Sequence, residues 1–409
     1  MKSSPDKRGD GYYELLAVVL CLPIFYFSIL WISTGLMPFK WDGGWYRGIA
    51  ELGYQFDGNI DKQSNLAFLP GYPILISLLK KTLGLSYVAS QFLASALAFL
   101  AGGIFLFRYL VERIGPRCSL MAVLLLGFNP YAIYYFNGYS EALFFPILAA
   151  FVYFIGKEKF LIASTILSLG LITRPHAILL IPLLCAAIYM SERVDDTEKE
   201  WGSTALRSIV RLINLFPVVL IAPMLLTLFY YIKFGDSLVY VNAISAWSIH
   251  NNNLSGFQFL SHIVSSASNL ISTPDSILGI KFWIDPIRLG PLVFLLNVIL
   301  LGLSFHIFLK KGMWQIFCFY LLMTVFGLIT GSVFNFGRHT VFLNPYIIVF
   351  PIILGEFVNW IIGCEKSSRS VYRRFVAMLG AFLMLMIFFA GLYLFTIYGI
   401  AQLNGVWIS

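Results

Sequence analysis

The chain has 409 residues, of which 59% are hydrophobic and only 12% charged, with a mean hydropathy of +0.82. Soluble domains carry roughly a quarter charged residues, so an ordinary soluble enzyme is excluded and a multi-pass membrane protein is implied. The formal charge of +8 arises from 28 Lys and Arg against 20 Asp and Glu; in a membrane protein such an excess reports topology first, and it does not point to nucleic acid.

Residues 1–11 are polar and carry Lys2, Lys7 and Arg8. The apolar run behind them is too long for a signal-peptide core and lacks a small-residue cleavage pattern, which predicts a retained first helix. Windows long enough to cross ~30 Å of hydrocarbon at about 1.5 Å per residue lie at 12–36, 85–107, 118–136, 212–232, 287–309, 313–333, 340–362 and 374–398. Between them, Glu141, Lys157-Glu158-Lys159 and Arg174-Pro175-His176 divide a further apolar stretch into shorter helices near 140–156, 159–173 and 175–190. The expectation is an all-α polytopic membrane protein with about 11 transmembrane helices, forming a single domain over 1–409 because no long polar linker interrupts it.

Phe68 to Leu79 is apolar but short, contains Pro70, Gly71 and Pro73, and ends in Lys80-Lys81. It is expected to be a re-entrant or interfacial helix. With the N-terminus inside, that choice leaves 18 of the 28 basic residues on the cytoplasmic side. A crossing there would turn Arg108, Arg113 and Arg117 outward, against the positive-inside rule. The longest loops, 37–84 and 233–286, then face outside, where function is expected. The mixed-charge segment 191–211 reads as a solvated linker on the inner surface. Cys21, Cys118, Cys185, Cys318 and Cys364 lie in or beside apolar runs without CxxC spacing and read as small buried hydrophobes.

The first outside loop opens with Trp41-Asp42-Gly43-Gly44-Trp45-Tyr46-Arg47, which continues to Gly53-Tyr54. Asp42 therefore lies at the membrane surface. Two glycines permit a tight turn and two tryptophans shield the acid from water, the setting in which a carboxylate can serve as a base. The alternative is an aromatic-belt anchor whose Asp caps the following helix.

Ala67-Phe68-Leu69-Pro70-Gly71-Tyr72-Pro73 comes next, and later Asn129-Pro130-Tyr131 through Tyr139-Ser140-Glu141-Ala142-Leu143-Phe144. These motifs, in this order, resemble those of the GPI mannosyltransferase II (PIG-V-like) family and its prokaryotic relatives, with a weaker echo at Gly337-Arg338-His339. The resemblance implies a GT-C membrane glycosyltransferase fold and a sugar donor carried on a polyprenyl phosphate. It also implies inversion at the anomeric carbon, with Asp42 as the base.

A lipid-linked donor leaves its sugar phosphate at headgroup depth, so cations are needed there to meet the departing phosphate. Arg174 with His176, and Arg338 with His339, each at the outer end of an apolar helix, are the candidates; the alternative is snorkelling to lipid headgroups. Glu141 could bond a sugar hydroxyl or orient Arg174, or could simply belong to a helix N-cap with Ser140. Tyr46, Tyr54 and Tyr72 would shape the sugar cleft, and Asn129, Asn137 and Tyr139 could line the same pocket, although asparagine beside proline is also a common helix end. In the second long loop His250, His262, Asp236, Asp275 and Asp285 have no metal-ligand spacing, and no Walker or Rossmann signature is present; no metal or other cofactor is expected.

The reading is an inverting mannosyltransferase using a polyprenyl-phosphate donor and a lipid-linked or surface glycan acceptor on the non-cytoplasmic face. The expected location is a prokaryotic plasma membrane, or the endoplasmic reticulum membrane in a eukaryote. The alternative is a transporter or flippase of a lipid-linked sugar, which would place its charges at mid-membrane on broken helices.

Overall fold

In lipid, backbone N–H and C=O groups find no solvent partner, so apolar runs of this length fold as helices that satisfy their own hydrogen bonds. The computed structural model describes residues 10–36, 39–195, 201–244, 246–247, 286–330, 338, 345–363 and 370–404. Every regular element among them is helical.

Helix α1 (Asp10–Thr34) fills the first apolar window, and two short helices, α2 (Asp42–Leu52) and α3 (Gly71–Leu83), lie between it and α4 (Tyr87–Ile114). The expected continuous span at 118–136 is instead broken. Helix α5 (Pro116–Gly127) ends, a 3-10 turn (Pro130–Ala132) leads into the four-residue α6 (Ile133–Phe136), and the two pieces are bent by 66°. The cause is local: Pro130 has no N–H to continue the ladder, and the Asn129 side chain accepts from Tyr131 N at 2.8 Å, which starts a new turn.

Next come α7 (Ser140–Gly156), α8 (Phe160–Leu171), a 3-10 helix (Pro175–Leu179), α9 (Leu180–Asp195), α10 (Trp201–Phe234) and α11 (Val239–Ile244). The described chain closes with α12 (Pro286–Lys310), α13 (Trp314–Thr330), α14 (Pro345–Gly363) and α15 (Ser370–Leu403). Segment 191–211 differs from expectation: its described residues are helical, as the end of α9 and the start of α10. Two of its arginines also pair while remaining solvent-exposed, with Arg211 Nη1 at 2.6 Å and Arg207 Nε at 3.7 Å from the Glu192 carboxylate.

Among the described residues four helices are long and apolar enough to cross a membrane, and a fifth if the bent pair counts as one span. The other six predicted windows carry shorter apolar helices. The segments that the charge rule groups together meet at one end of the bundle. Lys157 Nζ lies 2.6 Å from Glu112 Oε1, Ser191 Oγ donates to Glu158 at 2.9 Å, and Arg113 Nε donates to Gly312 O at 3.3 Å.

Helix α3 begins and ends at the opposite end. Gly71 N donates to Ile172 O at 2.8 Å, just past α8, and α3 leads directly into the Ser86 cap of α4. Tyr72 and Ile76 are buried, while Ile74 and Leu78 point outward, and at 13 residues the helix is too short to span ~30 Å of hydrocarbon at about 1.5 Å per residue.

The pairing of α4 with α7 sets the depth of the α7 N-terminus. Small residues along α4, Ala94, Ala98 and Gly102, are buried and let α7 approach closely. A Cβ at Gly102 would strike the Phe145 ring. Gly102→Val is therefore expected to lower unfolding stability by about 1–3 kcal/mol, read as a reduced thermal midpoint in detergent; an unchanged midpoint would contradict this packing.

Candidate active site

The N-terminus of α2 is held against the bundle by a strained approach and a side-chain staple. Phe39 and Trp41 both have positive φ, 63° and 55°, a conformation unfavourable for bulky residues. Gly43 must lack a side chain, because a Cβ there would sit 2.8 Å from Asn137 O. The buried Gln91 amide of α4 donates to Gly43 O at 2.8 Å and to Gly138 O at 2.9 Å, so α2 and the turn before α7 are fixed together. Gly138 itself is left-handed, at φ +74°, and Phe39 N donates to Asn137 Oδ1 at 3.2 Å.

These constraints bring Asp42 to Glu141, in the first turn of α7, where the positive end of the helix dipole favours a carboxylate. Between them lies Arg338. Its Nη2 is 2.5 Å from Asp42 Oδ2, and its Nε donates to Glu141 Oε1. Arg174, held extended just before Pro175, reaches the other Glu141 oxygen with Nη1 at 2.5 Å and donates to Ser140 Oγ at 3.1 Å. Tyr46 donates to the same Ser140 oxygen at 2.7 Å. Burial raises the Tyr46 hydroxyl well above its usual range, so it stays protonated as a donor.

The four charged side chains alternate in sign and their formal charges cancel. Glu141 is wholly buried, Arg174 and Arg338 are 7% and 8% exposed, and Asp42 is 16% exposed. Arg338 also lies against the faces of Tyr134 and Tyr139, at 5.1 and 4.8 Å from the ring centroids, a cation–π setting that offsets part of its desolvation.

Of the residues expected from the sequence, Asp42, Glu141, Arg174 and Arg338 thus converge, with Tyr46 and Tyr139 in direct contact with the cluster. Tyr72 stands behind Tyr46, with ring centroids 5.5 Å apart and its hydroxyl 2.6 Å from Ser95 Oγ. Tyr54 packs in the same buried cluster as Tyr46 and Tyr72; its hydroxyl donates to Phe68 O at 2.6 Å and its carbonyl receives Lys233 Nζ at 3.0 Å, which ties the loop after α2 to α10. His176 is buried with its ring edge-on to Phe326 of α13, at 5.3 Å. His339 lies outside the described residues. Sequence reasoning missed Gln91, Tyr134 and Gln402, whose Oε1 accepts from Asn137 Nδ2 at 3.1 Å. A single uncharged amide inside the apolar run of α4 was the available signal for Gln91.

Removing one member from a buried ion network leaves its partner uncompensated, which costs about 3–5 kcal/mol. Glu141→Gln strands Arg174 and leaves Arg338 with Asp42 alone, and is expected to fall in that range; Asp42→Asn, at the wetter rim, is expected to cost distinctly less. Thermal unfolding of the two variants in detergent checks the order, and coincident midpoints would refute it.

The arrangement can be set against known proteins. Over 98% of its length the chain superposes, at a TM-score of 0.55 and 13% identity, on the archaeal oligosaccharyltransferase AglB from Archaeoglobus fulgidus, solved with an inhibitory peptide and a dolichol-phosphate. It spans only 56% of that protein. It also superposes over 97% of its length on ArnT from Cupriavidus metallidurans bound to undecaprenyl phosphate, covering 76% of that chain at a TM-score of 0.51 and 13% identity. At such identities the likeness is one of fold, that of the GT-C membrane glycosyltransferases. No curated protein matches in sequence. The family profile described as Mannosyltransferase (PIG-V) matches residues 32–236, which takes in α2, Glu141 and Arg174, and on that match the chain belongs to this mannosyltransferase family.

Proposed function

We propose that the chain transfers mannose, with inversion, from a polyprenyl-phosphate donor to a glycan or glycolipid acceptor at the non-cytoplasmic membrane surface. The membrane is read as a prokaryotic plasma membrane crossed by eleven helical spans. The observation that carries the reading is the alternating cluster of Asp42, Arg338, Glu141 and Arg174, buried except at Asp42. All four charges lie at one end of the bundle, where a lipid-linked sugar phosphate would lie; this favours a surface enzyme over a carrier, whose ionised groups belong at mid-membrane.

In the reaction, the acceptor O–H gives its proton to the Asp42 carboxylate while the acceptor oxygen bonds to the anomeric carbon. The bond from that carbon to the phosphate oxygen breaks, and the electron pair leaves with the polyprenyl phosphate. Arg338 and Arg174 neutralise the leaving group. Arg338 is shared: once the donor phosphate claims part of its guanidinium, Asp42 loses a bond and its oxygen is released to accept the proton. Glu141 keeps both guanidiniums in place, and Tyr46, Tyr72 and Tyr139 form the wall that excludes water.

Purified protein in detergent, given radiolabelled polyprenyl-phosphate mannose and a lipid extract as acceptor, should form a labelled product. Asp42→Asn should lower the rate by about 10²–10⁴-fold, the usual contribution of a general base, while remaining folded. Transfer by Asp42→Asn at the wild-type rate would overturn the assignment of the base. Labelling by a different lipid-linked sugar, but not by mannose, would overturn the sugar.

A further inference from the structure

A cavity of about 360 Å³ opens beside α2, on the same end of the molecule as the ion cluster. One wall is Trp45, one helical turn after Asp42; residues at i and i+3 share a side of a helix, at a rise of about 4.5 Å. The indole is stacked on Phe68 at 6.0 Å and 15° and met edge-on by Trp247 at 5.4 Å. The ring is thus packed against two aromatic neighbours, yet Trp45 remains 37% exposed.

The rest of the lining comes from the loop after Tyr54 and includes Gln55 and Gln63 together with Phe56. That part is built rather than loose. Asn65 accepts from Gln55 N at 2.9 Å and donates to Gly53 O at 3.1 Å, and Trp247 Nε1 donates to Ser64 O at 3.2 Å. At the rim Lys62 and Asp57 pair at 2.8 Å, so the cavity presents no net charge.

An aromatic ring and planar amides lining one cavity match the two characters of a pyranose: an apolar face of C–H bonds, and hydroxyls that both donate and accept. The volume falls within the usual range for small-ligand sites, about 300–1,000 Å³. We infer that the cavity between Trp45 and the loop carrying Gln55 and Gln63 is the subsite for a neutral sugar residue of the acceptor glycan. This rests on the proposed transfer reaction and names the class of its acceptor. A sugar stacked on Trp45 stands about one helical turn from Asp42, close enough for the next hydroxyl along the acceptor to reach the base.

The test separates binding from transfer. Saturation-transfer NMR of wild-type protein, in a detergent without a sugar headgroup, is run with methyl α-mannoside, methyl α-glucosaminide in its N-acetylated form and methyl glucuronide. The neutral glycosides should bind and the anionic one should not. Trp45→Ala should weaken binding about tenfold, the loss expected when one aromatic face is removed, whereas Trp45→Phe should retain most of it. Gln63→Ala should weaken binding in the same direction as Trp45→Ala. In the transfer assay Trp45→Ala should raise the acceptor KM by a similar factor and leave kcat near the wild-type value. Absence of glycoside binding to the wild type, equal binding by Trp45→Ala, or preference for the glucuronide would each overturn the subsite. Trp45-dependent binding without any sugar transfer would leave the subsite standing and count against the reaction proposed for the cluster.

Discussion

Arg174 and Arg338 are less than a tenth exposed, and a guanidinium cannot shed its charge to escape burial. Each must therefore find an anion inside the protein or face a cost of several kcal/mol. Glu141 supplies one carboxylate oxygen to each, and Asp42 completes the set. This requirement reaches across the sequence. Asp42 begins α2, Glu141 begins α7, Arg174 follows α8 and Arg338 follows α13. The cluster can form only if all four places meet at one end of the helix bundle.

The uncharged scaffold explains why they do. Gln91 grips Gly43 and Gly138 together, and glycine at both places allows backbone to pass where any side chain would collide. Close packing of α4 on α7, through Gly102 against Phe145, sets the depth at which Glu141 emerges. Local strain at Phe39 and Trp41 is then tolerated because these long-range bonds fix the start of α2 from several sides. The result is an acid that keeps a 16% exposed rim position, with the Arg338 guanidinium directly beside it.

Much of this is legible in the sequence for a physical reason. Ionisable residues inside or beside apolar runs are rare enough that Asp42, Glu141, Arg174 and Arg338 stand out individually. Their mutual pairing is not legible, since nothing in spacing relates residue 42 to residue 338. The helical windows are visible from hydropathy, yet the break at Asn129-Pro130 is hidden by apolar length, although the turn-forming pair is present. Segment 191–211 reads as a solvated linker, but its described residues continue α9 and begin α10, and that Arg207 and Arg211 meet Glu192 is a fact of tertiary structure that spacing does not show. Tyr54 reads as part of the sugar cleft; that it also anchors a loop through Phe68 and Lys233 is not visible in the sequence. Gln91 escapes notice because an uncharged amide in an apolar run carries a weak signal.

The proposed mechanism requires Arg338 to be shared between Asp42 and the donor phosphate. The most direct measurement is the affinity of purified protein for undecaprenyl phosphate, the lipid phosphate without a sugar, in wild type, Asp42→Asn and Arg338→Gln. If Asp42 competes with the phosphate, Asp42→Asn should bind the lipid more tightly than wild type even though it is the variant that loses transfer, and Arg338→Gln should bind it more weakly. Equal or weaker binding by Asp42→Asn would contradict the shared guanidinium.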